Sequence, residues 1–177
     1  MPHVIAGAPS SGPEAEPVPG RKPCLDFFSG LAAGVAVVTA STDDGPVGTT
    51  VSTVTSLSAE PPLLLLCLAH SSRTLDALRA RDRFAVHLLA EGQAWRARRF
   101  SSAPPAERFA AESYEESLGA PVLADALSWA VCRTEEIRPY GDHCLVVGRL
   151  TALRSGPGRP LIWHDRAFHT LLEQGAR

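Results

Sequence analysis

The chain has 177 residues, 45% of them hydrophobic and 20% charged, which is the make-up of one globular domain with room for a sizeable core. Its formal net charge of −2 gives no electrostatic case for nucleic acid or an anionic membrane surface as a partner. Arginine supplies 16 of the 17 basic residues, so the single lysine, Lys22, leaves no P-loop and argues against Schiff-base chemistry.

Residues 1–23 hold six of the fifteen prolines and little that packs, and they read as a disordered leader without the basic-then-apolar order of a signal peptide. The remainder, 24–177, reads as one domain. A short helix is expected from Cys24 to Leu31, with Phe27 and Phe28 covering the core. Gly34 to Thr42 is the first strand, and Asp43-Asp44-Gly45-Pro46 is a hairpin turn.

The strand that follows, from Val47 to Ser58, breaks the usual alternation. Hydroxyls fall on both faces, with Thr49, Thr53 and Thr55 on one and Thr50, Ser52, Ser56 and Ser58 on the other. Such a row suits a flat ligand whose edge carries hydrogen-bond donors and acceptors. A threonine-rich edge strand facing water explains it equally well. After Glu60-Pro61-Pro62, the run Leu63 to Leu68 is a buried strand.

Ser71-Ser72-Arg73-Thr74 then opens a helix carrying Leu75 and Leu78. Free N–H groups, hydroxyls and a guanidinium at a helix start make a phosphate seat. An N-cap at Ser72 or Thr74 with a solvated Arg73 is the plainer alternative, supported by Asp76 in the first turn, but the hydroxyl strand just upstream puts the phosphate seat ahead. Arg83 to Leu89 reads as a strand, Ala94 to Phe100 as a helix, and Glu107 to Tyr114 as a second short helical or irregular piece. Arg98-Arg99-Phe100 and Glu107-Arg108-Phe109 are basic–aromatic clusters, ordinarily solvated faces but able to reach a phosphate.

Strands return over Ala126–Ile137, Cys144–Leu153, Pro160–Trp163 and Arg166–Leu171, with turns at 138–142 and 155–159. Gly141-Asp142-His143 thereby sets an imidazole between two strands, at a barrel rim. His164 and His169, read as one strand, point to opposite faces, so no metal site is expected. The cysteines 24, 67, 132 and 144 form no C-x-x-C, and Cys67 and Cys132 lie in apolar runs. Free thiols in a reducing cytoplasm are the reading. No apolar run is long enough to span a membrane. Many strands with a few short helices point to an all-β-dominated barrel.

In their order these segments resemble the short-chain NAD(P)H:flavin oxidoreductases that serve two-component flavin-dependent monooxygenases. The resemblance rests on Gly34-Val35-Ala36-Val37-Val38-Thr39, on Gly48 through Ser58, and on Pro61 through Leu68. It continues with Ser72-Arg73-Thr74, Phe84 through Leu89, Arg99-Phe100, Gly141-Asp142-His143, Gly148, Pro160-Leu161-Ile162-Trp163 and Phe168 through Leu171. It covers roughly residues 24–172. It implies a six-stranded Greek-key split β-barrel that forms a homodimer, with FMN or FAD at the subunit interface and NADH or NADPH as hydride donor.

The implied roles follow residue by residue. Thr49, Thr50, Val51, Ser52 and Thr53 line the isoalloxazine and ribityl chain, and Cys67, Leu68 and Ala69 run along the ring. Ser72, Arg73 and Thr74 hold the phosphate. His143 positions the nicotinamide nucleotide, with Phe168 near the same pocket. Hydride passes between the two cofactors, so no residue is expected to act as acid or base. Ala32-Ala33 stand where members of that family commonly carry Pro-Thr. A self-contained flavin oxidase or oxygenase, or a non-enzymatic flavin-binding protein, are the other functions this fold allows.

Overall fold

The computed structural model describes residues 18–172. The expected leader therefore lies mostly outside the described residues, but its last part does not: the first helix, α1, runs Arg21–Ser29 and begins inside it. Pro23 falls in the first turn, where its missing N–H costs nothing. The expectation that Phe27 and Phe28 cover the core is wrong. They are 71% and 58% exposed, and no residue of α1 is buried. The helix is tethered by polar contacts instead, with Asp165 N–H donating to the Ser29 carbonyl and Arg166 to the Asp26 carboxylate, both at 2.7 Å.

The chain then enters β1 (Ala33–Gly34), kinks at Val35 and continues as β2 (Ala36–Thr42). The two-residue turn Asp43-Asp44 leads into β3 (Gly45–Val51), with Gly45 at φ 116° supplying the positive dihedral the turn requires. The single hydroxyl-rich strand expected over 47–58 is in fact two. Ser52-Thr53-Val54 bend the chain, and β4 (Thr55–Ser58) follows.

Next come β5 (Leu63–Ala69), α2 (Arg73–Ala80), β6 (Arg83–Leu88) and α3 (Ala94–Ser102). The piece expected as helical or irregular over Glu107–Tyr114 is irregular after a 3-10 turn at Pro105–Glu107, and Tyr114 begins a strand. That strand, β7 (Tyr114–Ser117), forms a hairpin with β8 (Ala120–Leu123) through Leu118 and Gly119 at φ 49° and 83°. The long hairpin of β9 (Ser128–Tyr140) and β10 (His143–Ser155) has only Gly141-Asp142 as its turn, tighter than expected. The hairpin of β11 (Leu161–His164) and β12 (Ala167–Thr170) completes the order.

The main sheet runs β3-β2-β6-β9-β10-β5-β4. Its two edges are successive pieces of one segment, 45–58, so the sheet curls back on itself into a split barrel. Counted as one bent strand, that segment makes six. Thr53, in the bend between these edges, ties it to β5: it accepts the Cys67 N–H at 3.0 Å and donates to the Cys67 carbonyl at 3.2 Å. The barrel interior holds Val38, Ala40, Leu66, Leu68, Phe84, Val86, Cys132 and Val146, and Leu75 and Leu78 of α2 pack against them. β5 is buried on one face only, since Leu64, Leu66 and Leu68 are buried while Leu63, Leu65, Cys67 and Ala69 are partly open. Gly148 is required here because a Cβ would lie 2.4 Å from the Phe84 ring.

A second cluster lies outside the barrel, where Val37, Leu89, Ala97, Phe100, Leu123 and Leu161 join α3 to the three-stranded sheet β1-β11-β12. Two buried polar groups stitch this layer. His87, 0% exposed, contacts the Val37 carbonyl through Nδ1 at 3.0 Å and accepts the Leu123 N–H at Nε2. Arg96 and Glu112, with side chains 4% and 0% exposed, pair at 2.7 Å.

Candidate functional site

Four separate segments meet in one cleft of about 260 Å³. It is lined by Thr49, Thr50, Val51, Ser52 and Thr53 from the end of β3 and the bend, Cys67, Leu68 and Ala69 from β5, Ser72 before α2, and His143 at the start of β10. The pairing of β10 with β5 accounts for the last member, because His143 stands directly opposite Ala69. β3 is an edge strand bonded to β2 alone, so alternate N–H and C=O groups along it face the cleft without a strand partner. This matches a planar heterocycle with both donors and acceptors on its rim.

The hydroxyls do not all serve the cleft. Thr50 donates to the Ala97 carbonyl at 2.8 Å, which fixes α3 on the barrel and leaves only its oxygen lone pair free. The Thr53 hydroxyl is taken up by the backbone of Cys67 on β5. The second use of these residues is structural, and a sequence pattern does not separate it from ligand contact. Ser52 is partly exposed and makes no hydrogen bond with another described residue. Cys67 carries a thiol that burial pushes above its usual pKa, so it remains protonated beside the cleft.

Ser72 occupies the N-cap position of α2, yet its side chain makes no capping bond, which leaves the hydroxyl available to the cleft. Thr74, by contrast, is only 2% exposed. Beyond Ser72 the cleft opens into a larger cavity of about 480 Å³, which shares Thr49, Ala69 and Ser72 with the first and is lined also by Arg73, Thr74 and Arg108. Arg108 belongs to the Glu107-Arg108-Phe109 cluster that the sequence offers as able to reach a phosphate. The structure pins it by Nη1 to the Gly48 carbonyl at 2.7 Å and by Nε to the Ala103 carbonyl at 3.0 Å. Burial and the neighbouring Arg73 charge lower its pKa.

His143 stands on the rim, its side chain 47% exposed, with Nδ1 at 2.7 Å from Asp142. The pair holds the Asp142 carboxyl below its usual range and orients the ring, leaving Nε2 free. Phe168 is not brought to this cleft. It packs edge-on against Trp163 at 4.9 Å, with Arg98 over its face at 5.1 Å. The histidines 164 and 169 are not on opposite faces of one strand either. The turn at Asp165-Arg166 places them on neighbouring strands with ring centroids 5.8 Å apart, because both turn residues adopt positive φ, 47° and 59°. Among the described residues no group of three or more His, Cys, Asp or Glu is placed to hold a metal. The cysteines are unpaired thiols. No described helix is long and apolar enough to cross a membrane.

Residues 28–172 match the family model described as the flavin reductase like domain. The chain is 40% identical over 132 residues to a probable flavin reductase of Rhizobium meliloti, covering 73% of this chain and 42% of that one. It is 36% identical over 147 residues to the reductase subunit of a flavin-dependent monooxygenase of Mycobacterium tuberculosis, covering 81% and 78%. Among solved structures, a Streptomyces globisporus NADH:FAD oxidoreductase in complex with NAD and FAD fragments superposes with a TM-score of 0.83 at 28% identity, covering 92% of this chain and all of that one. The chain thus spans less than half the length of the first relative and more than three quarters of the second.

Proposed function

The chain belongs to the flavin reductase-like family, and from that membership we propose that it is an NAD(P)H-dependent flavin reductase supplying reduced flavin to a separate monooxygenase. The observation that carries the reading is the cleft: the hydroxyl bend, the 67–69 edge, the Ser72 corner and His143 meet there from four distant segments. When both are bound, the nicotinamide supplies hydride from C4 and the flavin accepts it at N5. The protein's contribution is placement. Backbone groups of β3 and the Ser52 hydroxyl hold the flavin rim, and Ser72 and Arg73 hold its phosphate end. His143, fixed by Asp142, offers Nε2 to the nicotinamide nucleotide arriving from the open side.

The working unit in this reading is a homodimer in the cytoplasm. Leu25, Phe27, Phe28 and Leu31 on and after α1, with Leu171 and Leu172 at the other end of the domain, are 44–86% exposed, more apolar surface than a lone chain ordinarily leaves in water. The free thiols fit a reducing compartment. Anaerobic titration of NADH or NADPH into protein plus FMN, FAD or riboflavin tests the activity, because flavin reduction bleaches its visible absorbance. No bleaching above the protein-free rate with any of the three refutes it. Light scattering at micromolar concentration tests the dimer.

A further inference from the structure

A flavin mononucleotide uses only the part of the larger cavity at Ser72 and Arg73, and the charges of that cavity are unusual. Arg79 and Arg81, at and just past the end of α2, meet carboxylates: Arg79 pairs with Asp76 at 3.3 Å, and Arg81 pairs with Asp43. Arg73 and Arg108 line the cavity and have no carboxylate within ion-pair distance among the described residues. Two uncompensated guanidiniums facing one space favour a doubly anionic ligand. Arg108 is also preorganised. With Nε and Nη1 held by the Ala103 and Gly48 carbonyls, its Nη2 remains as an unused donor pair in a fixed position.

The arrangement has a direction. The ring cleft ends at Ser72, the two arginines follow, and the cavity continues to Asp44 and Pro46 on one wall and Pro105 and Ala106 on the other. A mononucleotide phosphate at Ser72 and Arg73 ends there and leaves this stretch empty. A dinucleotide carries a second phosphate, which meets Arg108, and an adenosine that fits a slot with two proline faces. The Asp44 carboxylate is an acceptor for adenosine hydroxyl or amino protons.

Resting on the reductase reading, we propose that Arg73 and Arg108 form a pyrophosphate clamp, so that this chain selects FAD over FMN and seats the AMP half beside Asp44, Pro46 and Pro105. The experiment is a fluorescence titration of the flavin-free protein with FAD, FMN and riboflavin, without nicotinamide nucleotide. Each charge-assisted hydrogen bond supports about tenfold in affinity, so FAD should bind at least about tenfold more tightly than FMN. Arg108→Gln, which keeps side-chain donors but not the charge, should abolish most of that difference by weakening FAD while FMN affinity changes less than about twofold. Free AMP should displace FAD from the native protein, a result that stands even if the variant does not fold.

Equal native affinity for FAD and FMN overturns the proposal, as does equal weakening of both by Arg108→Gln in a variant that melts like the native chain. A raised KM for NADH with FAD affinity unaltered also overturns it, assigning the pyrophosphate site to the nicotinamide nucleotide. Reduction of riboflavin or FMN by NADH would uphold the reductase reading in each of these cases, so the two conclusions fail separately.

Discussion

Acid should unfold this protein earlier than its carboxylates require, and His87 is the reason. The ring is fully buried between β2, β6 and β8, with Nδ1 on the Val37 carbonyl and Nε2 accepting the Leu123 N–H. A second proton on Nε2 would point at that N–H, so the folded protein keeps the ring neutral, and burial brings its pKa from 6.5 down to about 4. Between these values the unfolded chain binds a proton that the folded chain excludes. Stability is therefore complete above about pH 6.5 and falls as the pH drops toward 4. Linkage gives a loss of about 2 kcal/mol at pH 5 relative to pH 7.5, approaching about 3 kcal/mol below pH 4.

The acidic groups act lower. Glu135 is held down to about 2, chiefly by hydrogen bonds from Arg149 and Arg133, so its contribution is lost only below the ordinary glutamate value of 4.5. Urea unfolding at pH 7.5, 6, 5 and 4 measures the slope. His87→Gln keeps an acceptor for the Leu123 N–H but cannot titrate. It should be less stable at pH 7.5 yet nearly flat between pH 7 and 5. The same slope in that variant as in the native chain would refute the assignment.

Three further outcomes follow from the geometry. His143→Ala should raise the KM for the nicotinamide nucleotide and slow flavin reduction in stopped flow while leaving flavin affinity nearly unchanged, with Asp142→Asn showing a milder form, whereas native kinetics in both would remove this rim from the site. Thr53→Val should cost about 0.5–1.5 kcal/mol, because it removes the hydrogen bonds that tie the bend to β5 beside the cleft, and Thr53→Ser should restore most of the loss in a denaturation curve. Glu112→Gln leaves the Arg96 charge buried without a counterion and should cost about 3–5 kcal/mol in thermal unfolding, with little effect on flavin affinity in the folded protein.

Most of the strands and the α2 and α3 helices were legible in the sequence because each depends on short-range pattern, although the β7–β8 hairpin was not. β-branched runs such as 36–39, Gly-containing turns such as 141–142, and the amphipathic spacing of Leu75 and Leu78 act over a few residues. The order of the motifs carried the site as well: Thr49 to Ser72 lie close in the chain, and the β5–β10 pairing adds His143 to them. What tertiary structure alone decided is long-range. The sequence presents 47–58 as one run of hydroxyls, and only closure of the barrel reveals that its halves sit on opposite edges and that Thr53 bonds Cys67 of β5, 14 residues on, while Thr50 holds α3. The two phenylalanines of α1 look like core from composition but face solvent, since no element among the described residues lies over them. Arg108 is 35 residues from Arg73, and its significance arises from a carbonyl of β3 that fixes it within the same cavity. Local conformational preference is written residue by residue, whereas the use of a side chain depends on which distant backbone group folding brings to it.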